Sequence, residues 1–277
     1  MIFNNFDEVE ELTQNIFYPF MLLCFSYPFL VKLLESYMKN RNPIRYRNLE
    51  MIWNFVCSGL SIIGFLGVYN CVSILNHLVV KREFVCNSAV NSISIFCLTK
   101  PVEFVDTIFL VLKKKKISTL HLWHHFSVSL YCYFSVYKIV MFGHYFAFMN
   151  LFVHSIMYFY YGLMSLRVYW ISRFAMLITV MQILQMFVGT YIAVEGYKSK
   201  YTGEYEKNNA IYGVIMYVSY LWLFLQFFGK RYDWRISQTG ICLIYLVNIG
   251  LYLSLSNNFF VIFLLTQAGL LAAELCL

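Results

Sequence analysis

Seven apolar windows, each about as long as the 20 residues a helix needs to cross a bilayer, recur along this chain with short charged turns between them. They lie near 16–36, 51–76, 88–112, 118–137, 144–164, 174–194 and 210–228. In lipid a backbone must satisfy its hydrogen bonds within its own segment, so such windows predict helices. Of the 277 residues 60% are hydrophobic and 13% charged, and the mean hydropathy is +0.63, which leaves too little polar surface to clothe a soluble domain. The expected fold class is an all-α polytopic membrane protein with seven transmembrane helices. Residues 1–235 form the helical domain, and 236–277 form an apolar C-terminal extension, a hairpin or a pair of interfacial helices meeting at Asn257 and Asn258.

The net charge of +7 sits in clusters between the windows, where it sets topology rather than binding nucleic acid. Lys39, Arg41, Arg45 and Arg47 follow the first window, Lys113–Lys116 the third, Arg167 and Arg173 flank the turn after the fifth, and Lys230, Arg231 and Arg235 follow the last. Basic loops stay cytosolic, so the N-terminus is expected on the lumenal side. That terminus, "MIFNNFDEVEELTQ", is acidic where a secretory signal is basic, so no cleaved leader is expected. The eight cysteines lack C-x-x-C spacing and read as apolar packing residues, with a Cys71–Cys86 bridge as the alternative.

Ionisable groups inside such windows are costly, and they concentrate in "KPVEFVDTIFLVLKKKKISTLHLWHH", residues 100–125. Lys100, Glu103 and Asp106 recur every third residue and can satisfy one another on one helical face, as an ion-paired patch or as part of a site. Pro101 interrupts the same span. His121, His124 and His125 share a face of the next helix, as a metal, nucleophilic or acid–base site requires. His154 follows on the next span with Asn150 one turn before it, and Thr179, Gln182 and Gln185 form a further stripe that can equally join helices. At 1.5 Å per residue, Asp106, His121, His125, His154 and Gln185 lie roughly 8–19 Å in from the cytosolic charges, so one cytosol-facing chamber accounts for them. His77 and His144 lie near span ends on the far side and are expected at the interface.

These residues resemble the ELO family of very-long-chain fatty acid elongases. Four family motifs occur in order: K-x-x-E-x-x-D-T at Lys100, Glu103, Asp106 and Thr107; H-x-x-H-H at His121, His124 and His125; H-x-x-M-Y at His154, Met157 and Tyr158; and T-x-x-Q-x-x-Q at Thr179, Gln182 and Gln185. The resemblance spans roughly Phe17–Tyr232. The tail departs from it, since family chains end soon after the seventh span with a basic retrieval signal, which "AAELCL" is not. "HLWHH" is similar to the branch that acts on saturated and monounsaturated chains.

What the resemblance implies is a seven-helix enzyme of the endoplasmic reticulum membrane, six helices surrounding an acyl tunnel closed at its lumenal end. It implies the condensation of acyl-CoA with malonyl-CoA to a 3-ketoacyl-CoA, with no bound cofactor and no metal. In the family's ping-pong scheme His124 takes up the acyl group. Asn150, His154, His121 and His125 surround the reacting carbons, and Lys100, Glu103, Asp106, Thr107, Tyr158, Thr179, Gln182 and Gln185 orient them. Lys113, Lys114, Lys115, Lys116 and Arg231 are expected to take the CoA phosphates. The expected partners are membrane lipid, a second copy of the chain, and the ketoacyl-CoA reductase, dehydratase and enoyl-CoA reductase that complete a cycle. Two other classes stay open on the residues alone. A lipid or solute transporter explains intramembrane charge, and a di-iron desaturase or hydroxylase shares H-x-x-H-H but needs about eight histidines, a family pattern, against six here.

Overall fold

The computed structural model describes residues 6–74, 87–138, 140 and 142–232, and the regular structure in them is helical. Nine α-helices occur among the described residues: α1 (Phe6–Asn15), α2 (Phe17–Met38), α3 (Arg47–Ile74), α4 (Asn87–Leu98), α5 (Phe104–Leu112), α6 (Thr119–Tyr137), α7 (Gly143–Ser165), α8 (Ala175–Lys198) and α9 (Glu204–Tyr232). The C-terminal extension 236–277, His77 and Cys86 lie outside the described residues.

Each apolar window falls on these elements, but they are not alike. Four described stretches are long and apolar enough to cross a membrane: Phe17–Met38, Arg47–Tyr69, Tyr169–Lys198 and Glu204–Tyr232. The third window is cut into α4 and α5, of 12 and 9 residues. α6 and α7 are diluted by His, Ser, Asn and Tyr. The polar residues singled out above lie on the turn between α4 and α5 and on α5, α6, α7 and α8.

Pro101 explains the cut. It has no N–H to offer the carbonyl four residues back, and the chain tightens into a 3₁₀ turn over Lys100–Glu103, with Val102 N–H bonded to the Thr99 carbonyl at 2.9 Å. In a 3₁₀ turn residues three apart eclipse, so Lys100 and Glu103 are brought into line more closely than an α-helix would bring them.

The chain divides into two compact units, Met1–Met181 and Gln182–Leu277, the boundary falling inside α8. In the first, α3 runs against α7, and α6 is packed by α1, α2, α4 and the 3₁₀ turn. Ser58 Oγ donates to the Ser155 carbonyl at 2.8 Å, tying α3 to α7. Further along that contact a Cβ on Gly162 would lie 2.8 Å from the Phe55 ring. Gly162→Ala is expected to cost about 1–3 kcal/mol by overpacking, seen as a lower melting temperature, with Phe55→Leu restoring part of it.

α1 was not legible as an element. Its Val9 and Thr13 are buried, Tyr133 OH donates to the Thr13 carbonyl, and Lys138 pairs with Glu10, so it is docked on the C-terminal half of α6. Cys24, Cys97 and Cys132 are buried thiols, as packing cysteines should be.

The lysine turn is more than a row of charges. Lys114 has φ 55°, the left-handed region, and closes α5 with two bonds, Lys114 N–H to the Val111 carbonyl (2.8 Å) and Lys115 N–H to the Leu110 carbonyl (3.0 Å). A non-glycine residue there costs about 1–2 kcal/mol. Its Nζ offsets this by donating to the Lys39 and Arg41 carbonyls, both at 2.9 Å. Together with the Ile44 N–H bonded to the Leu112 carbonyl at 2.8 Å and the Lys113–Glu50 ion pair, it fastens the α2–α3 loop to the α5–α6 turn. Two basic clusters thus share one end of the first unit.

In the second unit, Gly189 of α8 lets the Tyr217 ring of α9 approach to 2.5 Å from where a Cβ would stand, and Tyr197 packs on Ile211. Glu206 Oε2 accepts from Gly203 N–H at 2.9 Å and caps the start of α9.

Candidate active site

Ser118 fixes where the histidines stand. It is extended, and its hydroxyl accepts from the His121 N–H at 3.1 Å, so α6 starts one turn before His121. One helical turn separates His121 from His125, and their rings lie 4.4 Å apart. The third ring, His124, stands at 90° to His125 with centroids 5.3 Å apart. The three do not act as one face. His121 Nε2 meets Thr107 Oγ1 at 2.8 Å and His125 turns its ring to the edge of Phe104, both on α5. His124 lies within electrostatic reach of His154, Glu103 and Lys100.

Lys100 is 1% exposed, and its ammonium is saturated. It donates to Glu103 Oε1 at 2.6 Å and to Asn150 Oδ1 at 3.0 Å, and it stands 4.2 Å over the Phe96 ring. Through Asn150 this cation orients an amide on α7. On the same oxygen of Glu103, His154 Nδ1 approaches to 3.6 Å, too long for a hydrogen bond. Glu103 Oε2 and His125 Nδ1 are buried and have no hydrogen-bond partner among the described residues.

Asp106 departs from the expectation that Lys100, Glu103 and Asp106 satisfy one another. Its two oxygens accept from Trp53 Nε1 at 2.6 Å and from Tyr158 OH at 2.7 Å. The 3₁₀ turn rotates Asp106 away from the Lys100–Glu103 pair, and the carboxylate becomes a clamp joining α3, α5 and α7. Trp53 and Tyr27 belong to none of the four motifs. Their only sequence signal is that a buried indole N–H or phenol must find a partner, which does not say where. Trp53→Phe, which keeps the ring and removes the N–H, is expected to cost about 1–2 kcal/mol of stability, readable as a lower melting temperature.

The remaining expected site residues fall as follows. Thr179, in the first unit, donates to the Ala175 carbonyl at 3.1 Å; Gln182 and Gln185 lie in the second unit, Gln185 buried. Lys113 and Lys114 carry the internal contacts described above, whereas Lys115, Lys116 and, in the second unit, Arg231 are exposed. His144, expected at the interface, is 1% exposed at the start of α7. No group of three His, Cys, Asp or Glu side chains suited to a metal ion occurs among the described residues.

A family profile described as "ELO: GNS1/SUR4 family" matches residues 12–240. The chain belongs to the ELO family. Over 244 residues it is 34% identical to the very long chain fatty acid elongase 4 of Trypanosoma cruzi (strain CL Brener), covering 82% of each chain. To the very long chain fatty acid elongase 3 of Homo sapiens it is 33% identical over 215 residues, 74% of this chain and 80% of the human one. To the very long chain fatty acid elongase 6 of Gallus gallus it is 34% identical over 206 residues, 70% and 77% of the two chains. An ELO protein is a multi-pass membrane enzyme, and this one is a fatty acid elongase of the 3-ketoacyl-CoA synthase class. The family implies acyl-CoA and malonyl-CoA as its substrates. The residues of the Lys100–Asn150, Glu103–His154 and Thr107–His121 contacts all fall within the matched range.

Proposed function

We propose that this ELO enzyme elongates saturated or monounsaturated long-chain acyl-CoA by decarboxylative condensation with malonyl-CoA, through an acyl-imidazole on His124. The observation that carries the reading is the convergence of three motifs. Lys100 is hydrogen-bonded to Glu103 and to Asn150 of α7, Thr107 of α5 to His121 of α6, and His154 of α7 approaches Glu103. The imidazole of His124 attacks the thioester carbonyl, the C–S bond breaks, and CoA leaves as the thiolate with the proton given up by the ring. Malonyl-CoA then enters and loses carbon dioxide. Its enolate carbon attacks the acyl-imidazole, the C–N bond breaks, the imidazole regains a proton from water, and a 3-ketoacyl-CoA two carbons longer is released. Negative charge develops on the enolate and on the tetrahedral oxygen, so donors placed there lower the barrier; His154, His121, His125 and the Asn150 amide are the candidates. Lys100 holds Asn150 by its carbonyl oxygen, which leaves the amide NH₂ as the group to offer.

The topology belonging to this reading has seven spans and a lumenal N-terminus in the endoplasmic reticulum, with the site open to the cytosol. The fastening of the 39–47 loop to the lysine turn supports it, because two basic loops at one end of a unit belong on one side of a membrane. Lys115 and Lys116, exposed on the turn between α5 and α6, would take CoA phosphates. The 3-ketoacyl product calls for reductases and a dehydratase as partners in the cycle.

The test uses purified protein in nanodiscs with labelled malonyl-CoA and a panel of saturated and unsaturated acyl-CoAs, without NADPH. Labelled 3-ketoacyl-CoA is expected, with saturated and monounsaturated primers preferred. A preference for polyunsaturated primers would overturn the substrate assignment, and product formed without any acyl-enzyme intermediate would overturn the covalent one.

A further inference from the structure

Thr107 differs from Thr13, Thr179 and Thr190, helical threonines whose hydroxyls bond back to a carbonyl three or four residues earlier. That of Thr107, 1% exposed, lies instead between two side chains, 2.8 Å from Tyr27 OH and 2.8 Å from His121 Nε2. Tyr27 comes from α2, a helix with no residue in any of the four motifs. It is 3% exposed, and its ring stacks on Phe104 at 4.0 Å and 19°. Phe104 in turn meets the His125 ring edge-on at 6.4 Å. The phenol is therefore held in place and has Thr107 Oγ1 as its hydrogen-bond partner.

The order of these three groups sets the direction of the protons. A phenol is a better donor and a poorer acceptor than an aliphatic alcohol, and an unprotonated imidazole nitrogen is a better acceptor than either. A buried phenol left with an undonated proton costs free energy, so Tyr27 donates to Thr107. Thr107 has a single proton, which then goes to His121 Nε2. A neutral imidazole that accepts at Nε2 carries its proton on Nδ1.

We propose that Tyr27 is a positioning residue of the condensing site, acting through Thr107 to hold His121 neutral with its proton on Nδ1, so that His121 serves the reaction as a hydrogen-bond donor and not as a base. The proposal rests on the reading of His121 as a donor to the oxygen that becomes negative. It brings α2 into catalysis. The hydroxyl of Tyr27 need never touch substrate for this, because its effect passes through one intervening oxygen.

The experiment compares Tyr27→Phe, Thr107→Val, Thr107→Ser and the double variant Tyr27→Phe/Thr107→Val in the purified condensation assay, each with its melting temperature. Tyr27→Phe keeps the stack on Phe104 and is expected to lower kcat about tenfold, with KM for acyl-CoA changed by less than about twofold. Thr107→Val is expected to lower kcat by at least as much, and Thr107→Ser, which keeps the hydroxyl, to restore most of it. The double variant should be no worse than Thr107→Val, since Tyr27 acts only through that hydroxyl. Losses that multiply in the double variant, or full turnover in a folded Tyr27→Phe, would overturn the proposal. If Tyr27→Phe does not fold, the Val and Ser variants of Thr107 still decide, because equal turnover in the two sinks the relay. Histidine ¹⁵N spectra of the wild type, assigned with His121→Gln, should show the Nδ1–H tautomer at His121; the Nε2–H tautomer would reverse the relay and overturn it. A wild type that makes no 3-ketoacyl-CoA would instead refute the underlying reading of function, while the tautomer still reports on the relay.

Discussion

His124→Ala is expected to lower turnover by about a thousandfold or more while the protein still folds, because in the proposed mechanism it removes the atom that takes up the acyl group. The loss should appear in the first half of the reaction. Given acyl-CoA alone, the wild type is expected to release CoA in a burst and to gain the mass of the acyl group, mapped to the peptide carrying His124. The alanine variant should show neither. Its neighbours serve as controls with different expectations: His154→Ala should keep the burst and slow the release of 3-ketoacyl-CoA, if it serves as proposed as a donor to the enolate formed when malonyl-CoA loses carbon dioxide. Acyl mass on His121 or His125 would move the nucleophile by one turn or one residue. A normal burst in His124→Ala would remove it from covalent catalysis altogether.

The positions of the histidines, and of Lys100, Glu103, Asn150 and His154, follow from helical periodicity, which the sequence displays directly. The division of labour among them does not. Asp106 shows why: its place in the K-x-x-E-x-x-D stripe suggests the same partners as Glu103, yet Pro101 turns the backbone 3₁₀ and delivers Asp106 to Trp53 and Tyr158. A proline announces a break but not the rotation that follows it. Trp53 and Tyr27 were out of reach for another reason, since which residue of α2 or α3 meets α5 depends on how the helices pack, and no local pattern encodes that. The lysine turn is a mixed case. Its charge leads to an expected side of the membrane by composition alone, whereas the backbone role of Lys114 depends on one φ angle and two carbonyls of a distant loop.

Lys100→Met is expected to destabilise the protein by about 3–5 kcal/mol, the cost of leaving a buried carboxylate without its cation. The ammonium has no slack to lose: Glu103 Oε1, Asn150 Oδ1 and the Phe96 ring take its three directions. Stability alone would not tell an inert ion-paired patch from a working part of the site, so the informative variant is Lys100→Met/Glu103→Gln. With both charges gone no ion is stranded, and replacing a whole buried pair by neutral groups is often close to neutral in stability. The double variant is therefore expected to regain most of the melting temperature lost by Lys100→Met. Turnover should stay at least about tenfold low, because His154 has lost the carboxylate 3.6 Å from its Nδ1 and Asn150 the cation that oriented its amide. If activity returned together with stability, the pair would be scaffold only, and the orientation of His154 and Asn150 would have to come from the Asp106 clamp and the packing of α3 along α7.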